Sequence, residues 1–419
     1  MKKGIKKLGI VAVAAGLTAL ALGGCGNSKK ADSGEKTITV SVDKNYYKYA
    51  ESVKGEFEKE NHCKVVVKKN PTMDTLQKLS QDEQSGNAAD VMLAPYDQVG
   101  TLAKQGLLAN VTLPTDGRYN SRDKQNVTLK GKQYGDPATI ETLVEYYNKD
   151  LVKDAPTTFD QLSQMSKDPK YAYAHDKSKN VAFLCQWTNF YNAYGVIKAY
   201  GGYVFGDNNT NPKQLGLDTP GAVDGIKYMT SWFNIWPKGM QATTSNENFI
   251  TSQFTKGKTV VVIDGPWMAQ TYKKDGMKDN LGVAALPMLP GNRQYQPFAG
   301  GKAWVVNARS NQKALAKKFI NYLTTEKNQT LFYKDTQEIP ANDQSRAAAV
   351  KSGDPLAVAV NNQYQKSDPM PNIPEMTEVW TGAQNLLVNA ASGKETPEQA
   401  AKQATKQIKQ QIKQKYHVN

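Results

Sequence analysis

Apolar and polar residues alternate from Lys36 to Val42. After a break at Asp43-Lys44-Asn45, the residues Tyr46, Tyr49, Ala50, Val53 and Phe57 recur at helical spacing. The first period is that of a half-buried strand and the second that of an amphipathic helix. The shift repeats: residues 63–68 read as a second strand, Met73, Leu76 and Leu79 mark a second helix, and residues 90–94 read as a third strand ending at Pro95-Tyr96-Asp97. Strands alternating with helices predict a parallel sheet covered on both faces. Ligands of such sheets sit beyond the carboxyl ends of the strands, where Asp43, Lys44, Tyr96 and Asp97 fall. Each also suits a helix start, so capping is the alternative role.

Further along, Ile140, Thr142, Val144 and Tyr146 alternate with Glu141, Leu143, Glu145 and Tyr147, and Asn148-Lys149-Asp150 closes the run in turn chemistry. This predicts one strand over 138–147 that carries the chain from one lobe into another, with Glu141 looking into the cleft between them or else solvated. Thr158 and Gln161 have the spacing of a capping box, residues 181–185 read as a strand, and residues 186–194 form an aromatic passage into a helix that ends at Gly201-Gly202. Thr219-Pro220 opens another helix, and the apolar run 259–263 is a buried strand leading into Asp264-Gly265-Pro266-Trp267. Residues 299–306 read as a return strand, followed by helices over 312–323 and 326–333 and by a helix carrying Trp380. Thr396-Pro397-Glu398-Gln399 starts a last helix whose Ala400, Ala404, Ile408 and Ile412 make one stripe for ordinary packing.

A chain of 419 residues exceeds what one core usually serves, which suits two lobes. Its start changes the picture more. A basic stretch from Met1 to Lys7 precedes an apolar run over 8–22, too short to span a bilayer, and Leu22-Gly23-Gly24-Cys25 closes it, as in a secretory signal. Removing residues 1–24 takes four lysines and no acid, leaving a net charge of +10. With only Arg118, Arg122, Arg293, Arg309 and Arg346 among the basic residues that are not lysine, the excess reads as a surface beside an anionic envelope and not as a nucleic-acid site. Residues 25–36 read as a flexible tether. Cys63 and Cys185 lie in apolar strand-like runs, where buried thiols are favoured over a disulfide.

Catalytic signatures are weak. His62, His175 and His417 lack metal-ligand spacing, and Gly257-Lys258-Thr259 only imitates a phosphate-binding loop, since Ser252 stands where its first glycine belongs. No Gly-x-Ser-x-Gly elbow occurs. Asp97, Glu141 and Asp264 are carboxylates that a glycosidase would pair, but spacing in sequence gives no separation. The reading is a binding protein without enzyme activity, metal or cofactor.

Five pieces in order, Tyr147-Asn148-Lys149-Asp150-Leu151, Gly201-Gly202-Tyr203-Val204-Phe205, Asp264-Gly265-Pro266-Trp267, Met370-Pro371-Asn372-Ile373-Pro374-Glu375-Met376 with Trp380, and Asn389-Ala390-Ala391-Ser392-Gly393, make the chain resemble a known family. It is similar to the extracellular solute-binding proteins of sugar ABC transporters, and within them to the maltose/maltodextrin-binding proteins. The Leu-Gly-Gly-Cys ending resembles a bacterial lipoprotein box, in which Cys25 is lipidated. The resemblance implies an α/β fold of two lobes joined by three crossing segments, lobe I from 37–140 and 302–348, lobe II from 141–301 and 349–419. It implies a monomer outside the cytoplasm, lipid-anchored at the cell surface, that offers its closed form to a membrane permease. Carried over by position, Asp43, Lys44, Asp97 and Glu141 are polar contacts to sugar, and Tyr191, Trp267 and Trp380 are aromatic platforms. The chain departs from the family at four places: Ala94 replaces a stacking Trp, Gln98 a basic residue, Asn189 a Glu and Gln384 an Arg. Tyr96 or Trp187 is then expected to supply the missing face.

The chemistry suits a sugar independently. A pyranose has apolar C–H faces and a rim of hydroxyls, so its site needs flat rings and acceptors for adjacent O–H groups. The expected ligand is a maltodextrin. The alternatives are a fructo- or galacto-oligosaccharide and, from other classes, a cell-surface glycoside hydrolase or an adhesive lipoprotein.

Overall fold

A computed structural model describes residues 36–242 and 246–418. The signal segment, Cys25 and the tether up to Glu35 lie outside the described residues. Strand β1 (Lys36–Val42) feeds helix α1 (Lys44–Asn61), β2 (Cys63–Lys69) feeds α2 (Thr72–Ser85), and β3 (Val91–Pro95) feeds α3 (Tyr96–Lys104). The apolar spacing in α1 becomes its buried face: Tyr46, Tyr49, Ala50, Val53 and Phe57. In α2 the buried set is Thr72, Leu76 and Leu79; Met73 lies one position off that face and is exposed.

The expected single strand over 138–147 is two. β4 (Asp136–Glu141) belongs to the first sheet and β5 (Val144–Asn148) to the second, with Thr142 and Leu143 carrying the chain between them. Both strands are largely covered on both faces, so period-2 alternation does not translate into alternating exposure: Glu145 is as buried as its apolar neighbours, and Glu141 nearly so.

In the second lobe, β6 (Phe183–Leu184) is shorter than the apolar run that predicted it; α4 (Phe190–Ala199) and α5 (Pro220–Trp232) follow. Strands β7 (Val261–Asp264) and β8 (Leu281–Ala284) complete its sheet in the order β6-β7-β5-β8, where only β6 and β7 are parallel.

The chain returns through β9 (Phe298–Val306), which runs antiparallel both to β3 on one side and to β4 on the other. The first sheet is thus mixed: β1 is parallel to β2 and β3, as the alternation of strands and helices predicts, and the return strand reverses direction. Helices α6 (Lys313–Leu323), α7 (Glu326–Thr336) and α8 (Pro355–Tyr364) lead to β10 (Asp368–Pro369), which pairs with the start of β9. The chain ends in α9 (Met376–Ala391) and α10 (Pro397–Tyr416). Capping boxes form at Thr158–Gln161 and Thr396–Gln399, and the α10 stripe is buried as its spacing predicts. Between strands, the described chain passes from the first sheet to the second at Thr142–Leu143 and returns between β8 and β9.

Two apolar cores result. One lies on one face of the first sheet, where Ile38, Val40 and Trp304 meet α1 and α6. The other runs from Met92, Ala94 and Ile140 through Leu143 and Val144 into the second lobe, where Phe183, Trp187 and Trp236 pack. Cys63, in β2, and Cys185, just after β6, are both buried and are not joined.

Glu145 is the exception inside that core. It is fully buried on β5, neither carboxylate oxygen has a partner among the described residues, and burial pushes its pKa well above the usual range. Above the unfolded value of about 4.3, the folded state therefore retains a proton that the unfolded chain has lost, and stability falls as pH rises through that window. Glu145→Gln is expected to resist urea better than wild type at about pH 8 and to lose much of the decline seen from about pH 5 upward. Equal slopes in the two proteins would remove Glu145 as its source.

Candidate functional site

A cleft of about 950 Å³ opens between the lobes, lined from the first by Asp43, Lys44, Lys302 and Glu338, from the second by Trp267 and Lys274, and at the crossing between them by Glu141. The charged groups on its floor come from the crossing region itself. Glu141 is the last residue of β4, Lys302 lies in β9, and Glu338 follows α7. The Lys302 ammonium bridges both carboxylates, touching Glu141 Oε1 and lying 3.1 Å from Glu338 Oε2. The Tyr46 hydroxyl donates to Glu338 Oε1, and the Thr139 hydroxyl donates to Glu141 Oε1 at 3.4 Å. Burial opposes the charge on Lys302, but the two carboxylates outweigh it and hold the ammonium well above the ordinary lysine pKa. Burial pushes Glu338 up against the pull of Lys302.

The opposite wall is aromatic. Asp264, at the end of β7, accepts from the Gly265 N–H at 2.8 Å and the Tyr272 hydroxyl at 2.9 Å, which pins the turn that follows; burial raises its pKa to about 6. Gly265 lets the indole lie against the backbone: a Cβ there would lie 2.1 Å from the Trp267 ring and push it aside. The indole lies across that backbone and remains 37% exposed. Its ring centroid is 5.9 Å from Tyr191, Tyr191 is 6.0 Å from Phe298, and Phe298 is 6.0 Å from Trp380. Tyr194 stacks on Phe298 at 3.8 Å and backs the row. Trp380, on α9, donates its Nε1–H to Asp97 Oδ2 at 3.2 Å, joining the second lobe to α3 of the first. Gln98 donates to the same oxygen at 2.7 Å.

The structure therefore brings Glu141, Trp267, Tyr191, Trp380 and Asp97 together, with Lys44 at the rim. Asp43 lines the cleft, but its carboxylate accepts from Thr72 N at 2.8 Å and Thr72 Oγ1 at 2.5 Å, so it anchors the start of α2. Asn189 caps α4 by accepting from Tyr191 N at 2.9 Å, which orients the neighbouring ring. Two expectations fail. Tyr96 and Trp187 are each 1% exposed; Tyr96 donates to Thr139 O at 2.9 Å, and Trp187 donates to the Tyr295 hydroxyl at 3.2 Å. Both are core side chains with satisfied polar tips, so neither supplies a face to the cleft. Lys302, Glu338, Tyr46 and Lys274 were not picked out from the sequence. The one local signal was a lysine inside the apolar run 298–306.

A cleft between two α/β lobes, with a charged floor and a wall of rings, defines a two-lobe receptor for a small polar solute. The chain belongs to the family of bacterial extracellular solute-binding proteins, whose model matches residues 53–359. The maltodextrin-binding protein MdxE of Bacillus subtilis is 44% identical over 398 residues, covering 94% of this chain and 95% of that protein. A maltooligosaccharide ABC transporter solute-binding lipoprotein of Streptococcus pneumoniae is 45% identical over 392 residues, covering 92% of each. The crystal structure of the maltose-binding protein MalE of Listeria monocytogenes, in complex with maltose, superposes with a TM-score of 0.84 at 49% identity, covering 91% of this chain and 99% of that one.

The geometry at Asp97 yields a test. Burial raises its pKa, and the bonds from Gln98 and Trp380 work against that rise by stabilising the anion. Trp380→Phe keeps the ring and removes the donor, so the Asp97 pKa is expected to climb further, read by carboxyl-carbon NMR titration of aspartate-labelled protein. A fall or no change would show that the indole N–H does not stabilise the anion.

Proposed function

We propose that this protein captures maltose and linear maltodextrins in the interlobe cleft and passes them to a membrane permease of an ABC importer. The observation that carries the reading is Trp267, set in the cleft with the Glu141–Lys302 floor and continued by the partly buried rings of Tyr191 and Trp380, with the fully buried Phe298 packed between these two. Rings suit the C–H faces of successive glucose units, and fixed charges suit their hydroxyls. Each stacked ring contributes about 0.5–1.5 kcal/mol beyond burial, and each hydrogen bond to a charged group about 1.5–3 kcal/mol. After the loss of ligand freedom, a net of about 8 kcal/mol, or micromolar binding, is within reach of such a set. The names of the two relatives and the maltose held by the third protein support the same ligand class.

Closure follows from the same contacts. A sugar that touches the floor of one lobe and the rings of the other stabilises the closed arrangement over the open one, and that difference is the signal a permease reads. The lobe division is taken at 37–140 with 302–348 against 141–301 with 349–419. Ligand contacts are assigned to Lys44, Asp97, Glu141, Tyr191, Trp267 and Trp380, with Asp43 and Asn189 as supports. Cys25 is assigned as the lipid attachment site at the outer face of the cell membrane, and the working unit as a monomer. Among the described residues no helix is long and apolar enough to cross a membrane, and the lipid supplies the anchor.

Calorimetric titration with maltose, maltotriose, longer linear maltodextrins, and fructo- and galacto-oligosaccharides tests the assignment. Saturable binding of the α-glucans alone is expected. Binding of another sugar would keep the receptor and replace its ligand, and sugar cleaved during long incubation would point to a hydrolase. In Trp267→Ala the affinity is expected to fall at least about tenfold, or about 1.4 kcal/mol. Its unfolding midpoint should fall less than on removal of a core Trp, because the indole is 37% exposed. Normal binding by this variant would remove Trp267 from the site.

A further inference from the structure

The cluster on the cleft floor carries more than a structural ion pair needs. Glu338 has both oxygens engaged, Oε1 by the Tyr46 hydroxyl and Oε2 by Lys302, and its side chain is only 3% exposed. Lys302 has three ammonium protons, of which Glu141 and Glu338 take two; no third acceptor is present among the described residues. Glu141 accepts from Lys302 and Thr139 on Oε1, and Oε2 accepts nothing among the described residues. The side chains of these two residues are 15% and 11% exposed, and both line the cleft. One donor and one acceptor, on adjacent side chains held rigid from behind, therefore remain open toward the ligand.

A role in stability alone accounts poorly for this arrangement. Replacing a buried ion triad with apolar residues of similar size is often neutral or stabilising, and the strand around Lys302 is apolar. A donor beside an acceptor is, however, the pattern that two neighbouring hydroxyls of a pyranose complete: one donates to the carboxylate while the next accepts from the ammonium. Building on the sugar reading above, we infer that Lys302 and Glu141 grip a vicinal diol of the bound glucan as a pair, with Lys302 a direct ligand contact and Glu338 and Tyr46 positioning residues. Selectivity comes with it, because a sugar lacking either hydroxyl leaves a buried charged group without its partner.

The test is calorimetric titration of wild type and Lys302→Met with maltose and a set of monodeoxy maltoses. Lys302→Met keeps the length of the side chain and removes the donor. It is expected to bind maltose about tenfold or more weakly. The decisive expectation is that at least one monodeoxy maltose, penalised in wild type, loses its penalty in Lys302→Met while the others keep theirs. Wild-type affinity in the variant, or an equal loss with every analogue, would overturn the pairing and leave Lys302 a structural residue. Should Lys302→Met not fold, Glu338→Gln carries the same comparison, since it loosens the ammonium without removing it. It is expected to shrink the penalty at the same hydroxyl, and unchanged penalties would again overturn the inference. A wild type that binds no α-glucan overturns the sugar reading as well, whereas a wild type that binds beside an indifferent Lys302→Met overturns the pairing alone.

Discussion

Strands β4 and β9 meet where the lobes part, and their register sets what faces the cleft: Glu141 stands opposite Gly300, Ile140 opposite Gly301, and Thr139 opposite Lys302. The approach is close. Gly301 sits at φ +153°, and a Cβ there would lie 2.1 Å from Thr139 O and 2.6 Å from the Tyr96 ring. A side chain at that position would force the strands apart. Since Lys302 N also donates to the Thr139 hydroxyl at 3.0 Å, moving either strand would carry the ammonium away from Glu141. The crossing between the lobes and the charged floor of the cleft are thus one piece of backbone.

That placement explains why the groups tolerate burial. Charges in a low-dielectric site persist only when paired and hydrogen-bonded, and Lys302 pairs with two carboxylates that are themselves held by Tyr46 and Thr139. Glu145, only four residues after Glu141, shows the contrast: it has no partner among the described residues, and burial alone drives it toward the neutral acid. Two carboxylates of the same segment differ in surroundings: Glu141 is paired with Lys302 at the crossing point, and Glu145 lies in an apolar core.

Periodicity made most elements legible. The α1 face, the α10 stripe and both capping boxes depend on residues a few positions apart, and local spacing carries that information. What it could not carry was contact between distant segments. The run over 138–147 keeps one period although the chain changes sheets at Thr142, because the alternation is blind to which strand lies alongside. Trp187 and Trp267 both follow buried strands, yet one packs 5.9 Å from Phe159 inside the core while the other lies out over Gly265. The Gly-Pro before Trp267 was the usable difference. Glu338 gave no such sign; it belongs to the floor only because residues beside it pair with β4, as Ile140 N donates to Ile339 O at 3.0 Å and Ala341 N to Ala138 O at 3.1 Å.

The departures from the family pattern also read differently in three dimensions. Ala94 has no exposed surface and lies opposite Ala303 across β3 and β9, inside the continuous core. A Trp at that position would require the core to be rebuilt, so Ala94 is not a platform cut away from an otherwise unchanged site. The accessible rings lie elsewhere, at Trp267, Tyr191 and Trp380, with the buried Phe298 packed between the last two. Gln98 directs its amide to Asp97, so the carboxylate has a neutral donor where the family places a cation. A neutral donor compensates burial less than a cation does, in keeping with a raised Asp97 pKa. Such an anion is the stronger acceptor for a sugar hydroxyl, because fewer protein charges already stabilise it. Without the basic residue, the Asp97 carboxylate is held by two neutral donors, the Gln98 amide and the Trp380 indole.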